Sequence, residues 1–162
     1  MLRLKTLEDF FIEELKDITN AEKQLLKAIP RMVKAADSGE LKDAFRYHLG
    51  ETEHQVERLE KITGNLGVSL SGKKCRAMQG LLEEGQEIIE EDAVPAVKDA
   101  ALIAAAQKVA HYEIASYGCA ATYAKLLNNS KVESLLRDTL NEEGNADKKL
   151  TRIAENINIE AL

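Results

Sequence analysis

Apolar residues recur along this chain at spacings of three, four and seven, the period of helices with one face turned to a core. The first such stretch follows Thr6, whose hydroxyl can cap the opening amides while Asp9 occupies the reciprocal position. Leu7, Phe11, Leu15, Ile18, Leu25, Leu26, Ile29 and Val33 carry it to about Ala36, and Pro30 within it predicts a kink or a lost hydrogen bond. Asp37-Ser38-Gly39 breaks the pattern. A second helix is expected from about Glu40 to Thr63, with Leu41, Ala44, Phe45, His48, Leu59 and Ile62 facing inward, ended by Gly64, Gly67 and Gly72. A weaker stripe, Ala77, Met78, Leu81, Leu82, Ile88 and Ile89, marks a shorter helix over Lys73 to Glu91. The next long helix begins near Val94-Pro95, where a proline in the first turn is tolerated, and continues through an alanine-rich run. Asn128-Asn129-Ser130 makes a turn, and Ser130 with Glu133 forms a capping box for a last helix that reaches about Asn156.

These elements predict an all-α fold: a ferritin-like four-helix bundle of two antiparallel hairpins, joined by a long crossover over residues 64–94 that contains the extra helix. One domain over residues 1–162 accounts for the whole chain. Composition agrees, with 44% hydrophobic and 31% charged residues but only 4% aromatics and two prolines, a balance that suits helices rather than sheets. Acids outnumber bases 28 to 22, a net charge of -6 that argues against a nucleic-acid surface, DNA protection of the mini-ferritin kind included. The longest strictly apolar run, Ala100 to Ala106, is far short of the roughly 18 residues that cross a bilayer, and the amino-terminal segment has no apolar signal core. No membrane partner and a cytoplasmic location are therefore expected. Cys75 and Cys119 are too few for a disulfide framework and too far apart for a metal knuckle, so both are read as reduced thiols.

Four acidic residues lie where the period calls for apolar ones. Glu22 is framed by Leu15, Ile18, Leu25, Leu26 and Ile29; Glu51 follows Ala44 and His48; Glu113 lies among Ala106, Val109, Ala110, Tyr117 and Ala120. Glu142 is placed by Leu135, Thr139, Ala146 and Leu150, although Glu143 fits that stripe almost as well. Glu22 and Glu51 are 29 positions apart, and so are Glu113 and Glu142. The midpoints fall beside the two turns, so each antiparallel hairpin brings its two glutamates to one level. Carboxylates gathered in a core repel one another, and a cation is the most effective compensation. Oxygen donors with an imidazole suit iron or manganese. His54 adds that imidazole through Glu51-x-x-His54, half of the arrangement in which two helices give a glutamate and two others give Glu-x-x-His. The second hairpin has Asn145 at the corresponding place, which predicts unequal metal affinities, with water or Asp147 completing the weaker position.

His48 and His111 are read as packing residues or supports for the ligands, and Tyr112 and Tyr117 as hydroxyls near the ligand carboxylates or as core tyrosines. The acidic run Glu83, Glu84, Glu87, Glu90, Glu91 and Asp92 reads as the solvated side of the crossover helix.

The segments AEKQLLKAIPRM, HLGETEHQVERLE, DAALIAAAQKVAHYEIASYG and LNEEGNADKKL resemble those of the YciE/YciF-like bacterial stress proteins, a ferritin-like family, over almost the whole chain. The resemblance implies a homodimer, induction under stress and a metal-binding or oxidative role, without naming a substrate. By the same analogy Glu51 and Glu142 would bridge two ions, with Glu22, Glu113 and His54 as terminal ligands. The resulting expectation is a di-metal, iron-binding carboxylate protein that reacts with oxygen or peroxide or oxidises ferrous iron. The rival is a non-catalytic dimeric interaction bundle with a vestigial metal site.

Overall fold

The computed structural model describes residues 4–162, and the described chain forms five helices: α1 (Leu7–Ala35), α2 (Gly39–Leu66), α3 (Arg76–Glu90), α4 (Pro95–Leu126) and α5 (Ser130–Glu160). The capping box that opens α1 is present: the Asp9 amide donates to the Thr6 hydroxyl at 3.1 Å and the Thr6 amide to the Asp9 carboxylate at 3.0 Å. α1 continues through Pro30, which has no amide to offer the carbonyl one turn back. α2 passes Gly64 and stops at Gly67, which takes a left-handed φ of 66° while its amide bonds Thr63 O at 2.9 Å. At the start of α5 the cap is Asn129 rather than the expected Ser130. The Asn129 side chain accepts from the Val132 amide at 3.2 Å, and Glu133 pairs with Arg137 at 2.8 Å instead of closing a box.

Two apolar clusters show how the helices run. In one, Phe11, Leu15 and Ile18 of α1 meet Leu59 and Ile62 of α2, Tyr117 to Ala124 of α4, and Val132 and Leu136 of α5. In the other, Leu25 to Met32 of α1 meet Leu41 to Phe45 of α2, Leu102 and Ile103 of α4, and Leu150 to Ile157 of α5. α1 is thus antiparallel to both α2 and α4, and α4 to α5. Since α2 ends at one pole and α4 starts at the other, residues 67–94 must traverse the length of the bundle, with α3 laid against α1 and α4 on the way. α4 touches α1, α3 and α5, which explains why it is apolar on nearly every side.

The crossover is held at defined points. The buried Asp99 carboxylate accepts from the Asp37 and Ser38 amides at 2.8 and 2.7 Å, tying the first turns of α4 to the α1–α2 turn. Cys75 is fully buried, with its amide on Asn20 at 2.8 Å and its sulfur 3.0 Å from the Tyr112 hydroxyl. Tyr112 in turn donates to Asp17 at 2.7 Å. Both cysteines are free, Cys119 at the surface.

Replacing Asp99 with alanine removes the acceptor of two amides at a partly buried turn. We expect a loss of about 2 kcal/mol or more in urea unfolding of the Asp99→Ala variant.

Candidate metal centre

Between the two apolar clusters lies a polar layer supplied by all four bundle helices. The inward stripe of α2 runs Leu41, Ala44, Phe45, Thr52, Gln55, Leu59 and Ile62, with His48 in register, and that of α5 runs Val132, Leu136, Thr139, Glu143, Leu150, Ile153 and Ile157. Both steps follow the three-and-four period. Glu22 of α1, Glu113 of α4 and Glu143 of α5 are 0%, 2% and 0% exposed, so three carboxyl groups occupy the interior at one level.

Of the residues singled out in the sequence, Glu22 and Glu113 lie in this layer, and Glu51 stands half-buried at its edge. Glu142 does not face it. It is one step round the helix from Glu143, where Arg58 grips it through both oxygens at 2.6 and 2.5 Å and Gln55 adds a bond at 3.1 Å. His54 is exposed, one step off the stripe that carries Gln55. The imidazole at the layer is His48, with Nδ1 3.7 Å from Glu51 and Nε2 3.9 Å from Glu143. Asn145 is exposed, and Asp147 sits outside the layer, 3.2 Å from the exposed His111 and bonded by Gln107 at 3.1 Å. Tyr117 is buried and its hydroxyl donates to Glu22, whereas Tyr112 points to Asp17 and Cys75. Continuing the α2 stripe back from Leu59 by four and seven would have found Gln55 and Thr52, and the same count on α5 from Leu136 selects Glu143.

The layer's polar atoms are short of partners. Gln55 donates to Glu143 at 2.8 Å and Tyr117 to Glu22, but Glu22 Oε2, both oxygens of Glu113, Glu143 Oε2 and His48 Nδ1 have none. Ligand atoms of His48, Glu113 and Glu143 all lie within 4.8 Å of one another. Burial pushes the Glu22 carboxyl up to about 7, with the Tyr117 bond opposing and the Glu143 charge adding to the rise. Glu113 is raised well above the usual range by burial and then by the charges of Glu22 and Glu143. Burial also raises Glu143, against the pull of His48 and Gln55. For His48 burial acts downward, but Glu51, Glu143 and Glu22 outweigh it and the imidazole holds its proton more firmly. Glu142 is the contrast: burial would raise it, yet Arg58 and Gln55 win and its carboxyl falls below the usual range. The buried carboxyls of the layer therefore hold their protons more firmly than exposed ones do.

An all-helical bundle of two antiparallel hairpins with a long crossover, enclosing carboxyl groups from three helices with His48 and the half-buried Glu51 from the fourth, has the ferritin-like architecture. The family model described as "Domain of unknown function (DUF892)" matches residues 6–162, and the chain belongs to that family. The chain is 47% identical to Protein YciF of Escherichia coli (strain K12) over 156 residues, 96% of this chain and 94% of that protein. The crystal structure of the E. coli stress protein YciF superposes with a TM-score of 0.93, covering 95% of this chain and 98% of that one. YcfI of Rhodopseudomonas palustris, described provisionally as a structural protein, is 41% identical and superposes with a TM-score of 0.88, over 91% of this chain and 94% of its own. No described helix is long and apolar enough to cross a membrane.

The pH dependence of the metal-free protein follows from these shifts. A carboxyl whose folded value is raised binds its proton more tightly when folded, so its contribution to stability is lost as pH rises, for Glu22 between 4.5 and about 7. The raised His48 acts in the same direction, while the lowered Glu142 matters only at more acid pH. We expect the melting temperature of chelator-treated protein to fall from pH 5 toward pH 8, and the Glu113→Gln variant to show a shallower fall, both read by calorimetry.

Proposed function

We propose that this protein binds a transition-metal ion, iron or manganese, in the polar layer, with Glu113, Glu143 and His48 as the nearest ligands and Glu22 and Glu51 able to complete a second position. The observation that carries this reading is the group of buried polar atoms without a hydrogen-bond partner: Glu22 Oε2, both Glu113 oxygens, Glu143 Oε2 and His48 Nδ1. Buried carboxylates without partners cost several kcal/mol each, and a cation offsets that for all of them together. Oxygen donors with one imidazole suit iron or manganese better than zinc or copper, which draw on thiolates and additional histidines. When bound, such an ion would supply Lewis-acid or redox chemistry toward oxygen or peroxide.

The protein's own groups have distinct tasks in this reading. Tyr117, kept protonated by burial and by Glu22, orients the Glu22 carboxylate through its hydroxyl. Gln55 does the same for Glu143 while bridging to Glu142, and Arg58 neutralises Glu142 so that its charge is not added to the layer. The apolar clusters pack on either side of the donors. The kinship with a protein described as a stress protein supports a role in the stress response.

A second reading, a structural bundle whose layer keeps its protons and takes no metal, is favoured by the description of the R. palustris relative. Titration of the full chain with Mn(II), followed by the paramagnetic resonance of the free ion, separates the two. Saturable binding is expected, weakened by at least about tenfold in Glu113→Gln and Glu143→Gln and changed by less than about twofold in His54→Ala. Absence of binding selects the structural reading, and oxygen uptake after addition of ferrous iron tests whether a metal-loaded protein is also an oxidase.

A further inference from the structure

A cavity of about 290 Å³ lies between α2, α4 and α5 and reaches inward to His48 and Glu51. Its walls are mainly apolar, formed by Phe45, Leu150 and alanines of three helices, among them Ala110 and Ala146. Its outer lining is cationic. Arg152 is exposed, and the half-buried Lys149 holds its ammonium 4.9 Å from the centre of the Tyr47 ring. Neither Lys149 nor Arg152 makes an ion pair among the described residues, in a chain with six more acids than bases.

These features select a ligand by size, polarity and charge. The volume is at the small end of ligand cavities, which run from about 300 to 1,000 Å³. The mainly apolar walls, with Asn145 and His48 among the polar exceptions, favour a hydrocarbon body. The two cations favour an anionic head at the mouth, and the Glu51 carboxylate at the inner end repels a second negative charge. We propose that this cavity binds a small organic monoanion, a carboxylate on a short apolar chain or ring, with its head at Lys149 and Arg152 and its body against Phe45 and Leu150. The site goes beyond metal binding and does not depend on it, although its inner end adjoins the polar layer.

Ligand-observed NMR titration of the full chain, freed of metal by chelator, tests this with benzoate and benzyl alcohol, which share a ring and differ in charge. Benzoate is expected to bind the unaltered protein about tenfold more tightly than the alcohol, and the Lys149→Ala/Arg152→Ala double variant to erase that preference. Ala146→Leu, which narrows the cavity from a half-buried position, is expected to weaken both probes by about fivefold. Circular dichroism checks that each variant keeps its helices. Equal affinity for the two probes, no saturable binding of benzoate below about 10 mM, or a preference that survives the double substitution overturns the proposal. Because no metal is present, a negative result here leaves the metal reading standing, and failure of the metal reading leaves a positive result here intact.

Discussion

The constraint on which the structure turns is the burial of three carboxyl groups, Glu22, Glu113 and Glu143, at one level between two apolar clusters. An all-leucine layer would pack the same helices more stably, because desolvating charged groups without partners costs more than any bond they make here returns. The protein instead devotes several residues to keeping these groups inward and oriented. Tyr117 and Gln55 are fully buried and each gives its hydrogen bond to one of the three. Arg58 binds the adjacent Glu142 with both nitrogens, which keeps a fourth charge turned away.

The topology serves the same layer. Antiparallel hairpins place residues equidistant from each turn at matching heights, and the long crossover lets both hairpins present their midpoints to one another. Asp99 fixes the height of α4 against the α1–α2 turn through two amides, and the Asn20, Cys75 and Tyr112 bonds fix α3 against α1 and α4. The register that brings Glu22 beside Glu113 is thus specified both at the far turn, through Asp99, and close at hand, through Asn20 and Tyr112.

Most of the fold could be read from the sequence, because helix period, caps and turns are local. Thr6 with Asp9, Asp37-Ser38-Gly39 and Pro95 each act through neighbours a few residues away, and the structure has helices beginning or ending at each. Helix ends were set less sharply: α2 runs past Gly64 to Gly67, one of the glycines expected to end it, and α5 is capped by Asn129 instead of Ser130. The site was legible less evenly. Glu22 and Glu113 are surrounded by unambiguous apolar stripes. The Glu142–Glu143 pair is not, and only the three-dimensional presence of Arg58 shows which of the two turns outward. His54 stood out because it completes a familiar spacing with Glu51, yet the stripe through Gln55 puts it one step round the helix toward solvent, and His48 takes the inward place.

Anomalous diffraction from crystals grown with manganous ion is the most direct test of the claim that a cation completes this layer. A peak enclosed by His48, Glu113 and Glu143 is expected. Density showing these groups bonded to one another through retained protons, with no anomalous signal between them at saturating manganese, would contradict it.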